Sequence, residues 1–361
     1  MTGSSKNVEL GTSISPLALF LADGLVVRDD SRDSSPPRSP VQREVPLRHD
    51  LRLALETLTL PAPAYPGLEP TIEGRYGLER ELGRGGMGRV HLARDFGLDR
   101  PVALKTIDPS LANRPSILSC FHRETAALSN VNSEHVVQFY ALGRHEDSPF
   151  FAMEFVEGFD LASLIASYKS RGGLVPLGRA AAILRQIARG LAAVHSQGIV
   201  HRDLKPANVL IEARTGRAVL IDFGLAHTTT AVATTTHAGT PIYMSPEQWT
   251  ESAVTSCATD IYGFGVLAFE LLTSAPPYVA ESTAALMLMH LRDAIPRAAA
   301  HCPALAPLDA VLTRALAKAP GDRFPHGEAL AQALDVALAE ALQGESSMAL
   351  PWTWVPPPPL R

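Results

Sequence analysis

The 361-residue sequence lacks most of the features that commit a chain to a secreted, membrane-spanning or nucleic-acid-bound life. It has only three cysteines, Cys120, Cys257 and Cys302, far apart and odd in number. That excludes a disulfide framework and a cysteine zinc site, suits a reducing compartment, and leaves each thiol to be expected as a small buried apolar residue. No run approaches the roughly 18 apolar residues that a bilayer span needs. The nearest, Leu17 to Ala22, stops at Asp23-Gly24 and reads as a partly apolar tail rather than a secretion signal. Basic residues number 32 against 37 acidic, a net charge of −5 with no basic cluster, so nucleic acid is not an expected partner. The histidines show no ligand spacing.

Chemistry is concentrated in one run, His201-Arg202-Asp203-Leu204-Lys205-Pro206-Ala207-Asn208, followed by Asp222-Phe223-Gly224. These residues supply a base, a cation and two hard oxygen ligands for a metal, the minimum set for moving a phosphoryl group onto a hydroxyl. Upstream, Gly83-Arg84-Gly85-Gly86-Met87-Gly88-Arg89-Val90 can fold its backbone closely over phosphates and present N–H groups to them. Such glycines also open dinucleotide-binding units, but those need an apolar strand before them and a helix after. Here Tyr76 to Leu82 and Arg89 to Arg94 both alternate, so the glycines join two strands. A further strand, Val102-Ala103-Leu104-Lys105, ends in a lysine, and a helical stretch follows over Phe121 to Leu128.

Taken in this order, the motifs resemble the eukaryotic-like serine/threonine protein kinases of bacteria, over roughly residues 74–343. The resemblance implies an α+β, two-lobed protein kinase fold. A small antiparallel-sheet lobe with one helix (74–155) would precede a larger, mostly helical lobe (156–343), between an N-terminal extension (1–73) and a Pro/Trp-rich tail (344–361). It implies ATP and Mg²⁺, with Mn²⁺ as the alternative. Asp203 then takes the place of the base, Lys205 lies beside the transferring phosphate, and Asn208 and Asp222 hold metal. Lys105 would grip phosphates and pair with Glu124, which its spacing selects over Glu134. The nucleotide would lie against Leu82, Gly83, Gly85, Gly86, Gly88, Val90, Ala103 and Leu210, with the backbone of Glu154 and Val156 facing adenine in the hinge-like run Met153 to Gly158.

Further matches follow in sequence. Gly239 to Glu247 resembles the end of an activation segment, with Ser245 where the family often carries alanine. Asp260 is similar to the helix aspartate that steadies the catalytic loop, Arg323 to the partner of Glu247, and His201 to a packing histidine. Lys205 and Thr240 match the serine/threonine pattern. The resemblance implies protein substrates, a cytoplasmic setting, and a transient homodimer for trans-autophosphorylation. Thr234, Thr235 and Thr236 are the expected phosphorylation sites, with Arg202 as their charge partner. A pseudokinase scaffold is the rival reading. It requires loss of Lys105, Asp203, Asn208 or Asp222, and all four are present.

Periodicity places two large-lobe helices. Leu184, Ile187, Ala188, Leu191 and Val194 line one face ending near Gly198, and Leu330, Leu334, Leu338 and Leu342 mark a closing core helix. Residues 29–46, rich in Ser, Pro and Arg, are expected to be disordered, while Leu51 to Leu60 form a leucine-dense lead-in.

Overall fold

The structure, a computed structural model, describes residues 72–85, 88–108, 125–145, 148–223, 241–250 and 255–345. The N-terminal extension up to residue 71, Gly86, Cys120, Glu124, Thr234 to Thr236, Thr240 and the Pro/Trp-rich tail from residue 346 lie outside the described residues.

Among the described residues, five strands make the sheet of the small lobe: β1 (Tyr76–Gly85), β2 (Gly88–Asp95), β3 (Arg100–Ile107), β4 (Phe139–His145) and β5 (Ser148–Glu154). They form one antiparallel sheet in the order β1-β2-β3-β5-β4. Side chains alternate across it with period two, and β3 is buried on both faces. Val102 and Leu104 pack with Tyr76, Ala93 and Phe150 on one side, while Ala103 and Ile107 join the main core with Phe151 and Met153 on the other. Alternation therefore sends Lys105 to the face shared with Ala103 and Ile107. The β1–β2 turn depends on Gly88, whose φ is +144° and whose missing Cβ would lie 1.9 Å from the Thr106 carbonyl oxygen.

A second sheet follows, of short strands β6 (Gly158–Asp160), β7 (Val209–Glu212) and β8 (Ala218–Leu220), in that order. The large lobe is otherwise helical: α1 (Leu161–Lys169), α2 (Leu177–Ser196), α3 (Cys257–Thr273), α4 (Thr283–Arg292), α5 (Asp309–Ala315) and α6 (Gly327–Glu345). Asp160 caps α1 by accepting from the Ser163 N–H at 2.7 Å. The five periodic residues of α2 are all buried, and the helix ends at Gln197, with Gly198 at φ +70° turning the chain toward His201. Helix α3 is buried from Thr259 to Phe269 without a polar face, which marks it as the interior helix of this lobe. Leu330, Leu334 and Leu338 of α6 are buried where α6 packs on α2.

The cysteines differ from expectation. Cys257 and Cys302 are only half-buried. Cys257 opens α3 near the lobe surface rather than sitting inside it.

Candidate active site

The segment that follows α2 is fixed by a single carboxylate. Asp260 of α3 is almost fully buried. Its Oδ2 accepts from the His201 N–H at 2.7 Å and its Oδ1 from the Arg202 N–H at 2.8 Å. A third donor is His195 Nε2, 2.8 Å from Oδ2. The His195 tautomer is set by its other nitrogen, since Nδ1 accepts from the Gly327 N–H at 2.9 Å. Three N–H groups on one buried carboxylate satisfy a charge that would otherwise be costly to bury. Gly263, one turn along α3, lets the loop lie close: a Cβ there would come within 3.2 Å of the Leu204 carbonyl oxygen.

Held this way, the loop sets Asp203, Lys205 and Asn208 against one another. Lys205 Nζ donates to Asp203 Oδ2 at 2.7 Å. Asn208 Nδ2 donates to the same oxygen at 3.0 Å and to the Asp203 carbonyl at 2.7 Å, which leaves the amide oxygen as the acceptor of that side chain. The Asn208 carbonyl accepts from the Ile221 N–H at 3.0 Å, so Asp222 follows directly on this pairing. Asp222 adopts φ +55°. Its Oδ1 is ion-paired with Lys105 Nζ, reaching down from β3. The structure thus brings together Lys105, Asp203, Lys205, Asn208 and Asp222 from three separate stretches of chain.

His201 is a packing residue. It is fully buried, its Nε2 donates to the Ile221 carbonyl at 3.0 Å, and its ring lies 4.5 Å from that of Phe223. Burial holds its pKa below the usual histidine value, although Asp260, Asp203 and Asp222 pull the other way. It is neutral at physiological pH.

On the small-lobe side, Ala103, Met153 and Val156 are buried, Val90 and Leu210 half-buried, and Leu82 lies at the exposed rim. The Glu154 N–H is taken by the Gln138 carbonyl at 2.8 Å, so the adenine contact expected of this residue would fall to its carbonyl. Its side chain pairs with Arg217, whose Nη1 also donates to the Glu134 carbonyl at 3.0 Å. Glu134 itself turns toward His135, 3.8 Å from Nε2, while Lys105 is engaged by Asp222.

The 3₁₀ turns Pro241–Tyr243 and Pro246–Trp249 flank the loop on the large-lobe side. Tyr243 Oη donates to Glu270 Oε2 at 2.5 Å. Burial pushes the Glu270 carboxyl up, partly offset by Tyr243 and Lys169. Glu247 and Arg323 form the expected pair, at 2.8 Å and 2.7 Å through both guanidinium arms.

Motif reading did not identify His195, Gln248, Glu270 or Arg217. Each works through a partner distant in sequence, and none stands in a run with a chemistry of its own.

The described residues contain no group of three or more His, Cys, Asp or Glu side chains that would hold a metal by themselves. The Asn208 amide and Asp222 carboxylate are hard oxygen donors, and they fit a cation that keeps phosphate and water among its ligands.

A protein kinase domain family model matches residues 76–332. The chain belongs to the protein kinase family. Among its relatives, the serine/threonine-protein kinase Pkn1 of Myxococcus xanthus is 36% identical over 295 residues, covering 77% of this chain and 42% of that protein. The serine/threonine-protein kinase PknH of Mycobacterium tuberculosis is 38% identical over 299 residues, covering 79% and 47%. The crystal structure of the M. tuberculosis PknI kinase domain superposes with a TM-score of 0.58 at 31% identity, covering 74% of this chain and 97% of that one. This kinase therefore groups with bacterial serine/threonine-protein kinases in sequence and with their two-lobed domain in fold. It spans less than half the length of the curated relatives it matches.

Proposed function

We propose that this kinase transfers the γ-phosphoryl group of ATP to serine and threonine hydroxyls of proteins. The observation that carries the reading is the Asp203 carboxylate. Its Oδ2 is held by Lys205 and Asn208, at 2.7 Å and 3.0 Å, beside the Lys105–Asp222 pair. Asp203 Oδ1, which no described residue bonds, is left to orient the acceptor hydroxyl and take its proton. Lys205 places positive charge beside the phosphoryl group in flight, and Lys105 does the same for the phosphates left behind. Asn208 and Asp222 would hold Mg²⁺, or Mn²⁺ in its place, which neutralises charge on the phosphate oxygens. Positioning and charge neutralisation carry the barrier reduction. Lys205 and the names of the curated relatives support serine and threonine as acceptors.

The glycine run Gly83, Gly85, Gly86 and Gly88 would cover the phosphates, and Glu124 would be the helix partner of Lys105 in the active state. We place the physiological setting in the cytoplasm, where ATP is available. Among the described residues, no helix is long and apolar enough to cross a membrane. Autophosphorylation of Thr234, Thr235 and Thr236 would occur in a transient homodimer, with Arg202 receiving the phosphate.

The test is incubation of the purified chain with Mg²⁺ and labelled ATP, alone and with a protein mixture, followed by phosphoamino-acid analysis and mass spectrometry. Phosphoserine and phosphothreonine, with self-labelling second order in enzyme, are the expected products. Nucleotide binding without any transfer would instead establish the pseudokinase reading.

A further inference from the structure

We propose that Gln248 is a positioning residue for phosphoryl transfer: its side-chain amide fixes the Arg202–Asp203 peptide, and Ser245 fixes the amide. This rests on Asp203 as the base. Arg202 adopts φ +68°, a conformation that costs a side-chain-bearing residue about 1–2 kcal/mol and persists only where its surroundings hold it. The N–H side of Arg202 is held by Asp260 at 2.8 Å. Its carbonyl, which belongs to the peptide leading into Asp203, accepts from Gln248 Nε2 at 3.1 Å. The two contacts fix the peptide planes on both sides of the strained residue.

The amide can point only one way. Gln248 Oε1 accepts from the Ser245 N–H at 2.9 Å and from Ser245 Oγ at 3.1 Å, so the remaining NH₂ group is the one aimed at Arg202. Ser245 is fully buried, and water does not compete for these bonds. The turn that carries Gln248 is itself tied to the lobe interior. Glu247 bonds Arg323 through two arms and accepts from Thr259 Oγ1 at 3.0 Å. A continuous line of contacts thus runs from the large-lobe core through Gln248 to the peptide that aims Asp203. It also explains Ser245 at a position where alanine was the commoner expectation: its hydroxyl adds a second donor to the amide oxygen.

Steady-state kinetics on the full chain test this with three variants and a melting curve for each. Gln248→Glu keeps both acceptor contacts to Ser245 but sets a carboxylate oxygen against the Arg202 carbonyl. Gln248→Met removes the donor without adding charge. Both should lower kcat by about tenfold or more, as misplacement of a catalytic group does, with KM for ATP within about twofold of wild type. Ser245→Ala, which keeps the backbone donor, should lose no more than about threefold on the same scale. If Gln248→Glu melts below the assay temperature, the neutral Gln248→Met carries the comparison. With an active wild type, kcat within about twofold of normal in Gln248→Met overturns the proposal, as does a loss expressed equally in KM for ATP. An inactive wild-type chain would overturn the phosphotransfer reading instead.

Discussion

Two donors converge on Asp203 Oδ2, and the third fixed point of the residue is its own carbonyl, held by Asn208 at 2.7 Å. The role proposed for a carboxylate so placed is orientation of the acceptor, and that proposal has a sharp substitution test. Asp203→Asn keeps the size and the donor contacts but cannot take a proton. It should leave ATP affinity near normal while kcat falls by roughly a hundredfold or more. Nucleotide titration with a single-turnover assay separates the two, and near-normal turnover would remove Asp203 from the mechanism. The contacts of Asp203 were legible in the sequence because Lys205 and Asn208 lie within five positions of it. Gln248 was not legible, because its partner Arg202 is 46 positions away. His290 belongs to the same class. It is fully buried between aromatic rings, with Nδ1 2.8 Å from Tyr262 Oη. Burial, aided by Lys318, lowers its pKa to about 4 against an ordinary 6.5. The unfolded chain therefore takes up a proton between pH 6.5 and pH 4 that the folded chain refuses, and stability falls as pH drops through that window. The loss is on the order of 2–3 kcal/mol for this residue. His135 and His201, also lowered by burial, act in the same direction. Urea unfolding at pH 7.5 and pH 4.5 should show a smaller pH difference in His290→Phe than in wild type. Equal differences would show that His290 does not carry the effect.

Elements differ in how plainly the sequence announces them. Helix α2 was legible because it is amphipathic, with Leu184, Ile187, Ala188, Leu191 and Val194 on one buried face. Helix α3 has no such face, since it is buried all round, and only the resemblance around Asp260 pointed to it. Strands β6 and β8 have three residues each, too few for an alternation to register. What joins these elements is polar and long-range. Arg323 is 2% exposed, and its guanidinium binds Glu247 as well as the Ala258, Ala317 and Lys318 carbonyls. Burial pushes Glu247 up, but the Arg323 bonds outweigh it and hold the carboxylate below its usual range. The contribution is present above the ordinary carboxylate pKa and is lost as pH falls through the lowered value. Arg323→Met leaves that largely enclosed carboxylate without its cation, at a cost of up to about 3–5 kcal/mol. The melting temperature should drop by roughly 6–20 °C for a domain of this size. The double variant Arg323→Met with Glu247→Gln should recover part of the loss. No recovery would mean that Arg323 matters through its carbonyl contacts alone.

At the scale of the whole molecule, the family match and the physical core end at different places. The match stops at residue 332, whereas α6 continues to Glu345. Beyond 332, Leu334, Ala337, Leu338 and Ala341 are all buried, at 1%, 5%, 0% and 2% exposure. At the other end, Ile72 is 3% exposed in the small-lobe core, and Glu73 Oε1 accepts from the Arg144 N–H at 3.0 Å. Both residues lie just outside the 74–343 boundaries read from the sequence. We therefore propose 72–345 as the minimal folded unit. Motif spacing could not reveal this, because the closing turns of α6 carry no motif, only burial. Removing residues after 332 strips two fully buried leucines, worth about 2 kcal/mol each, and two alanines, worth less. The total approaches 5 kcal/mol, against a typical native stability of 5–15 kcal/mol. The half-buried Arg185–Asp335 pair, also lost, adds little. A piece spanning 70–345 should express as a soluble monodisperse protein with the melting temperature of the full chain, whereas 70–332 should melt at least about 10 °C lower or aggregate. Differential scanning fluorimetry on the two pieces decides the matter. Matching melting temperatures would show that the last three turns of α6 lie on the core without supporting it.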